Sequence, residues 1–299
     1  AHPHSAVRVG GLTAAAPAGG VGAVAHLASN GRSVVVVHGG STVVDETLER
    51  LGIEPEYVES ASGVTGRFTD AETMEAFAMA MAGKLNTELT AEFRSAGVDA
   101  VGLSGVDGGL LSGPRKSAVR VVEDGKRKIR RGDHSGKIES VNADLLAGLL
   151  DDGYTPVVSP PMAGDEGDGE VTPVNADADR AAAAVAGALG ADLVLLTDVS
   201  GVYADPDDPE TRIDAAATPA ELATVEDAAE GFMGKKVMAA REALEGGSGR
   251  VVIADANVRD PIVAPPGGGG TTIERSALGG DADDEAEEVA EAESGGETA

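Results

Sequence analysis

"VNADADRAAAAVAGALGADLVLLTDVSGVY", residues 174–203, decides how the rest of the chain is read. An alanine-rich amphipathic stretch, Asp177 to Leu189, leads into the apolar run "DLVLLT" (192–197), a helix feeding a buried strand. The same alternation recurs on both sides. Candidate strands are "AVRV" (6–9), "SVVVVH" (33–38), "VDAVGL" (98–103), "TPVVSP" (155–160) and "RVVIA" (250–254). Helices fit at Ser41 to Leu51, Asp70 to Ala82, Ala143 to Leu150 and Met233 to Glu245. Apolar strands joined by amphipathic helices predict an α/β fold, an open, doubly wound, mainly parallel sheet with helices on both faces.

The 299 residues suffice for two lobes. The acidic, glycine-rich loop "AGDEGDGE" (163–170) interrupts the pattern, which predicts one lobe over 1–165 and a second over 166–278. The last 21 residues, 279–299, hold nine Asp or Glu and no Lys or Arg, so this segment is expected to be disordered.

Charge excludes some functions. With 51 acidic against 23 basic residues the formal net charge is -28, and a surface so anionic repels nucleic acid and anionic membrane alike. A salt-rich cytosol would screen that self-repulsion, so a halophilic source is expected. The chain has no cysteine, which removes disulfides, thiolate metal sites and a thiol nucleophile. The start "AHPHSAVRVGG" lacks a signal-peptide pattern and no apolar run reaches membrane-spanning length, so a cytoplasmic protein is expected.

Three glycine pairs, Gly10–Gly11, Gly39–Gly40 and Gly108–Gly109, follow apolar strands or sit in tight loops. Such turns let backbone N–H groups approach an anion, or simply supply a positive φ. Two familiar phosphate motifs do not fit. "GVGAVA" (20–25) follows a Pro-Ala loop rather than a strand, and "GFMGKK" lacks the hydroxyl residue and glycine spacing of a P-loop. Only seven lysines occur. Four lie in or beside the stretch 116–137, Lys84 stands alone, and Lys235 and Lys236 form a pair at a helix start, suited to an anion.

"VRVGG", "VVVVHGGS", "GRFTDAETMEAFAMAMAGKLNTEL", the opening stretch and "GFMGKKVMAAREAL" occur in an order that resembles the amino-acid kinases, within them the acetylglutamate kinase branch. The resemblance implies transfer of the ATP γ-phosphoryl group to a side-chain carboxylate, with ATP and Mg2+ as cofactors, the metal held mainly by the ATP phosphates rather than by protein ligands. A carboxylate is already ionised at neutral pH, so the chemistry needs cations and N–H donors rather than a general base. By the same resemblance Lys236 stabilises the transferring phosphoryl group, and Asp177 orients the catalytic cations with Asn175 beside it. Gly10, Gly11, Gly39 and Gly40 face the phosphates and substrate. Arg67 holds the substrate's α-carboxylate, and Thr197, Asp198, Gly201 and Tyr203 belong to the nucleotide-side loop. The family's usual lysine at the end of the first strand is Arg8 here; arginine keeps the charge with a different, planar geometry.

The approach "ESASGVTGRFTD", with Gly63 and Val64, is similar to relatives that phosphorylate glutamate or 2-aminoadipate tethered to LysW, a small acidic amino-group carrier protein, in arginine or lysine biosynthesis. The stretch 115–137 then acquires a purpose. It holds nine cations against three anions, a balance of +6 that leaves -34 for the remainder. Its "EDGK" predicts a hairpin turn, and Lys126, Arg127, Lys128, Arg130 and Arg131 are the expected carrier-docking residues. Pairing with the chain's own acidic tail is the competing use of these cations. Two further readings stay open: a kinase of free N-acetylglutamate, and a non-catalytic nucleotide- or partner-binding protein of the same fold, which Arg8 motivates. The short segment before Arg8 leaves no room for the helix that joins arginine-inhibited relatives into hexamers, so a homodimer is expected.

Overall fold

The computed structural model describes residues 5–8, 18–59, 65–123, 126–167, 169–256 and 269–279. The first part comprises β1 (Ser5–Arg8), α1 (Ala18–Ser29), β2 (Val34–Val37), α2 (Ser41–Leu51), the short antiparallel pair β3 (Tyr57–Glu59) and β4 (Thr65–Arg67), α3 (Ala71–Ala78), α4 (Asn86–Ser95) and β5 (Ala100–Gly105). Two long strands, β6 (Leu111–Glu123) and β7 (Lys126–Gly136), pair antiparallel as the basic hairpin; its expected turn residues Asp124 and Gly125 lie outside the described residues. β8 (Ser140–Val141), α5 (Ala143–Asp151), β9 (Thr155–Asp165) and β10 (Val171–Val174) follow. The remainder is α6 (Ala178–Leu189), β11 (Asp192–Thr197), β12 (Ala215–Ala216), α7 (Pro219–Ala228), α8 (Gly231–Glu245), β13 (Arg250–Asp255) and β14 (Gly270–Glu274).

One sheet runs β12-β14-β13-β11-β1-β2-β9-β6-β7, with β5 and β10 also on β9. The pairs β13–β11, β11–β1, β1–β2, β2–β9 and β9–β5 are parallel, and the antiparallel pairings lie toward the margins. Strands buried on both faces must be apolar throughout, which is why "VVVV" and "DLVLLT" do not alternate. The two faces are nonetheless distinct. Val35 and Val37 of β2 and Leu193 and Leu195 of β11 join one core with α5, α6 and α8, whereas Val34, Val36, Val194 and Leu196 join the other with α1 to α4. Helices therefore cover both faces, as a doubly wound fold requires. β9 and β10, the strands on either side of the acidic glycine-rich segment, pair antiparallel within this sheet.

The helix expected over Asp70 to Ala82 is longer and irregular. α3 passes into a π-helical segment, Met79–Leu85, and on into α4, so one helical run reaches Ser95. Gly83 lies in the wide segment, where its low helix propensity yields to the packing of Met81 and Leu85 into the core. Three helices without a strong sequence signal also form, α1, α4 and α7, and "GVGAVA" falls inside α1.

The start of α3 carries a testable cap. The Asp70 carboxylate accepts from the backbone N–H of Thr73 at 2.9 Å, and that hydrogen bond holds the carboxyl below its usual range. Its stabilisation is present above the unfolded-state value of about 3.9 and is lost as pH falls through the lower folded-state value. Asp70→Ala is expected to cost about 1 kcal/mol in urea unfolding at pH 7, a difference that narrows as the pH falls below about 4, whereas Asp70→Asn, still a capping side chain, costs little at pH 7.

Candidate active site

β1 lies between β11 and β2, with Arg8 in register with Leu195 on one side and Val37 on the other. The chain leaves β1 toward β2, β5 and β9 and later returns to its opposite side as β11. This reversal of strand order opens a crevice beyond the carboxyl ends of β1, β2 and β11, the place where open α/β sheets bind ligands. Arg8 closes β1 there, although only its backbone is described. Gly39 and Gly40 follow β2, and Gly40 caps α2 without a side-chain hydrogen bond, which leaves the first-turn N–H groups of α2 available to an anion. The turn is also tightly packed: a Cβ on Gly40 would come within 2.4 Å of Leu85 Cδ2, so the Leu85 side chain would have to shift to admit one. Gly10, Gly11, Gly63 and Val64 lie outside the described residues.

The lysine pair opens α8, and its two members do different things. Lys236 Nζ lies 3.4 Å from both carboxylate oxygens of Asp179, with side-chain exposures of 12% and 13%. Lys235 Nζ donates to the carbonyl of Thr65 at 2.9 Å, tying α8 to β4. Asp177, the aspartate singled out by sequence, is the N-cap of α6, its Oδ1 accepting from the backbone of Asp179 at 2.8 Å and of Arg180 at 3.1 Å. Sequence reasoning passes over Asp179. The signal that separates the two is helical phase, since a cap residue spends its carboxylate on the backbone and a first-turn residue can turn it toward a neighbouring helix.

Arg67, on β4, is 5% exposed. Its Nη2 donates to Asp45 Oδ1 at 2.7 Å, Tyr57 Oη at 2.9 Å and the Ser41 carbonyl at 3.1 Å, and Tyr57 Oη donates to Asp45 Oδ2 at 2.8 Å. Burial pushes the Tyr57 hydroxyl above its ordinary pKa, so it stays a donor at any physiological pH. The Arg67 Nε is buried and makes no hydrogen bond, a donor left over on an otherwise neutralised guanidinium. Lys235 thus reaches Thr65, two residues before Arg67, which sets the start of α8 against β4.

Asn175, just after β10, is woven into the root of the basic hairpin. Its N–H donates to the His134 carbonyl at 2.8 Å, and its own carbonyl accepts from Gly136 at 2.9 Å. Its Nδ2 donates to Thr69 Oγ1 at 3.1 Å, while Thr69 N donates to the buried Asp133. β7 therefore supplies part of the wall around Asn175.

Residues 20–255 match the model of the amino acid kinase family. The chain belongs to that family. Among curated proteins it is similar to the [LysW]-aminoadipate kinases of Deinococcus radiodurans, 43% identical over 81% of this chain and 82% of the relative, and of Thermus thermophilus, 40% identical over 83% and 92%. It is also similar to the acetylglutamate kinase of Methanopyrus kandleri, 45% identical over 74% and 85%. Among solved structures, carbamate kinase from Giardia lamblia bound to AMP-PNP has a TM-score of 0.65 at 17% identity, over 92% of this chain and 99% of that one, a likeness of fold.

In this amino acid kinase the expected nucleotide-side residues follow β11. Thr197 closes the strand and donates to Asp198 Oδ1 at 3.1 Å. Gly201 takes a φ of +143° and approaches Thr271 so closely that a Cβ would meet its Oγ1 at 2.7 Å, so another residue would strain the backbone as well as clash. Thr271 Oγ1 in turn accepts from Val202 N at 2.8 Å and donates to the Ile213 carbonyl at 2.6 Å, fixing the loop that carries Tyr203, itself bridged to Arg212.

The kinase's hairpin cations divide. Lys126, Arg127, Lys128 and Arg131 are exposed, whereas Arg130 stacks over the Phe68 ring at 4.3 Å and forms a two-pronged ion pair with Glu56. Arg130 is thus engaged in holding the hairpin to the body. At the root, Arg115 donates to Glu166, keeping that carboxyl below its ordinary range, and to His134 Nε2 at 3.0 Å.

Proposed function

We propose that this kinase transfers the γ-phosphoryl group of ATP to the side-chain carboxylate of glutamate, 2-aminoadipate or both, presented on an acidic carrier protein, giving an acyl phosphate for arginine or lysine biosynthesis. Phosphotransfer is the activity of the family; the carrier-borne acceptor is supported by the names and identities of the relatives. The observation that carries the reading is the pairing of Lys236 with Asp179 at the start of α8, a helix start that Lys235 ties to the strand bearing the buried cation Arg67.

Each group has work that fits its chemistry. The acceptor carboxylate is its own nucleophile, so the protein must assemble negative oxygens and offset their repulsion. Lys236 does so at the transferring phosphoryl group, with Asp179 fixing the ammonium in place. Arg8 is placed at the end of β1 to add a second cation. The Gly40 turn and the N-terminus of α2 offer N–H donors, and Arg67 and Asn175 receive the fixed end of the substrate, with Gly63 and Val64 in the approach. Thr197 to Tyr203 line the nucleotide side. Among the described residues no three His, Asp or Glu side chains gather as a metal site. In this reading Mg2+ comes with the nucleotide, bound chiefly by its phosphates, as the resemblance to the family implies. The division into a substrate lobe (1–165) and a nucleotide lobe (166–278), a homodimer, and a salt-rich cytoplasm belong to the same reading; sedimentation in high and low salt tests the last two together. No helix among the described residues is long and apolar enough to cross a membrane.

If Arg67 grips the substrate, Tyr57 helps to aim it. Tyr57→Phe removes the hydroxyl shared by Arg67 and Asp45 and is expected to raise the acceptor KM about fivefold, with the ATP KM unchanged, as measured by steady-state kinetics.

The reading is tested by incubating the enzyme with ATP and a LysW-type carrier bearing glutamate or aminoadipate. A carrier mass increased by one phosphoryl group, and discharged by hydroxylamine to a hydroxamate, supports it; an unchanged carrier mass refutes it. The second reading, free N-acetylglutamate as acceptor, is favoured by the 45% identity to the Methanopyrus kandleri acetylglutamate kinase.

A further inference from the structure

The acidity of this chain makes its arginines informative, because most have an obvious use at home. Arg130 pairs with Glu56, Arg115 with Glu166, Arg180 with Glu242, Arg241 with Glu226 and Arg250 with Asp192. Arg120, Arg127 and Arg131 are different. All three are exposed, and none makes a hydrogen bond or ion pair with the described residues.

Register places these three together. In β6–β7, Arg120 stands opposite Ile129, Val122 opposite Arg127 and Ala118 opposite Arg131. Opposed residues of an antiparallel pair share a face, and alternate residues along a strand do too. Arg120, Arg127, Ile129 and Arg131 therefore lie on one side. The other side carries Val121, fully buried, and Arg130, stacked on Phe68, so that side is the one applied to the body. Ile129 is 65% exposed at the centre of the outward side. An apolar residue ringed by guanidinium groups is the composition of a protein interface, where arginine is enriched and a dry centre is bordered by charge.

We infer that this outward face, Arg120, Arg127 and Arg131 around Ile129, is the docking surface for the acidic carrier protein. The inference rests on the carrier reading above and narrows it, since it adds Arg120, gives Arg130 a structural task, and separates the outward arginines from the face that carries Lys126 and Lys128. Charge complementarity names the occupant: a chain of net charge -28 presents an unneutralised cationic face, and what fits it is an acidic surface with an apolar spot. The same β7 continues to His134 and Gly136, whose backbones bond Asn175, so a carrier seated on the hairpin is registered to the crevice by one strand.

The test uses the full chain and the triple variant Arg120→Glu/Arg127→Glu/Arg131→Glu, with Arg50→Glu/Arg94→Glu as a remote charge control and melting curves to verify folding. The KM for carrier-borne substrate is expected to rise at least about tenfold in the triple variant, with kcat at saturating carrier and the ATP KM within about twofold of wild type, and the effect should shrink as salt increases. The control is expected to shift the carrier KM less than about threefold. Equal shifts in the triple variant and the control would overturn the inference, as would carrier turnover untouched by the triple variant. If removing residues 280–299 lowers the carrier KM in wild type but not in the triple variant, the acidic tail competes with the carrier for this face, which supports the inference. Failure of the carrier reading looks different: wild type then phosphorylates N-acetylglutamate and leaves the carrier alone.

Discussion

Lys236→Met is expected to lower kcat by about 100- to 1,000-fold while changing the KM for ATP only a few-fold, because the ammonium matters most for charge that develops during transfer. The expectation follows from placement. Lys236 is held at 3.4 Å from both oxygens of Asp179, so its charge is oriented before substrate arrives. Methionine keeps the length and apolar stem, so circular dichroism and a melting curve should remain close to wild type. A variant that loses binding of ATP but keeps kcat would assign Lys236 to ground-state anchoring instead.

The second large effect distinguishes two aspartates that are two residues apart. Asp179→Asn removes the counter-charge that fixes Lys236 and is expected to reduce kcat by about 100-fold through misplacement of the ammonium. Asp177→Asn should be nearly silent in kcat and in stability, because asparagine caps a helix about as well as aspartate and Asp177 acts on the backbone of α6. Steady-state rates of the two variants, measured side by side, decide the matter. The reverse ranking would return the orienting role to Asp177.

The fold was legible because buried parallel strands write themselves as unbroken apolar runs. "VVVV" and "DLVLLT" are β2 and β11, and the helices between them follow from the 3.6-residue pattern. α1 was hidden by its glycines, which lower helix propensity, and forms because Ala23 and Val24 are buried in the tertiary structure. The π-helical segment was hidden because periodicity sums over turns and does not register one widened turn. Within the site, Lys236 and Arg67 stood out by charge and motif. Asp179 did not, since its role depends on which way a first-turn side chain faces and on what α8 places opposite. The two faces of the hairpin were equally invisible: nine cations in a row of residues give a net charge, and only the register with β6 separates Arg130, engaged with Glu56 and Phe68, from the outward arginines.

The central claim, an acceptor carboxylate borne on an acidic carrier, is tested most directly by the ratio of kcat/KM for carrier-linked glutamate or aminoadipate to that for free N-acetylglutamate, read from initial rates of hydroxamate formation. The account predicts a ratio of at least about 100, corresponding to roughly 2.7 kcal/mol of added transition-state binding from the carrier. A ratio at or below one would contradict it and assign the enzyme to the free amino acid derivative.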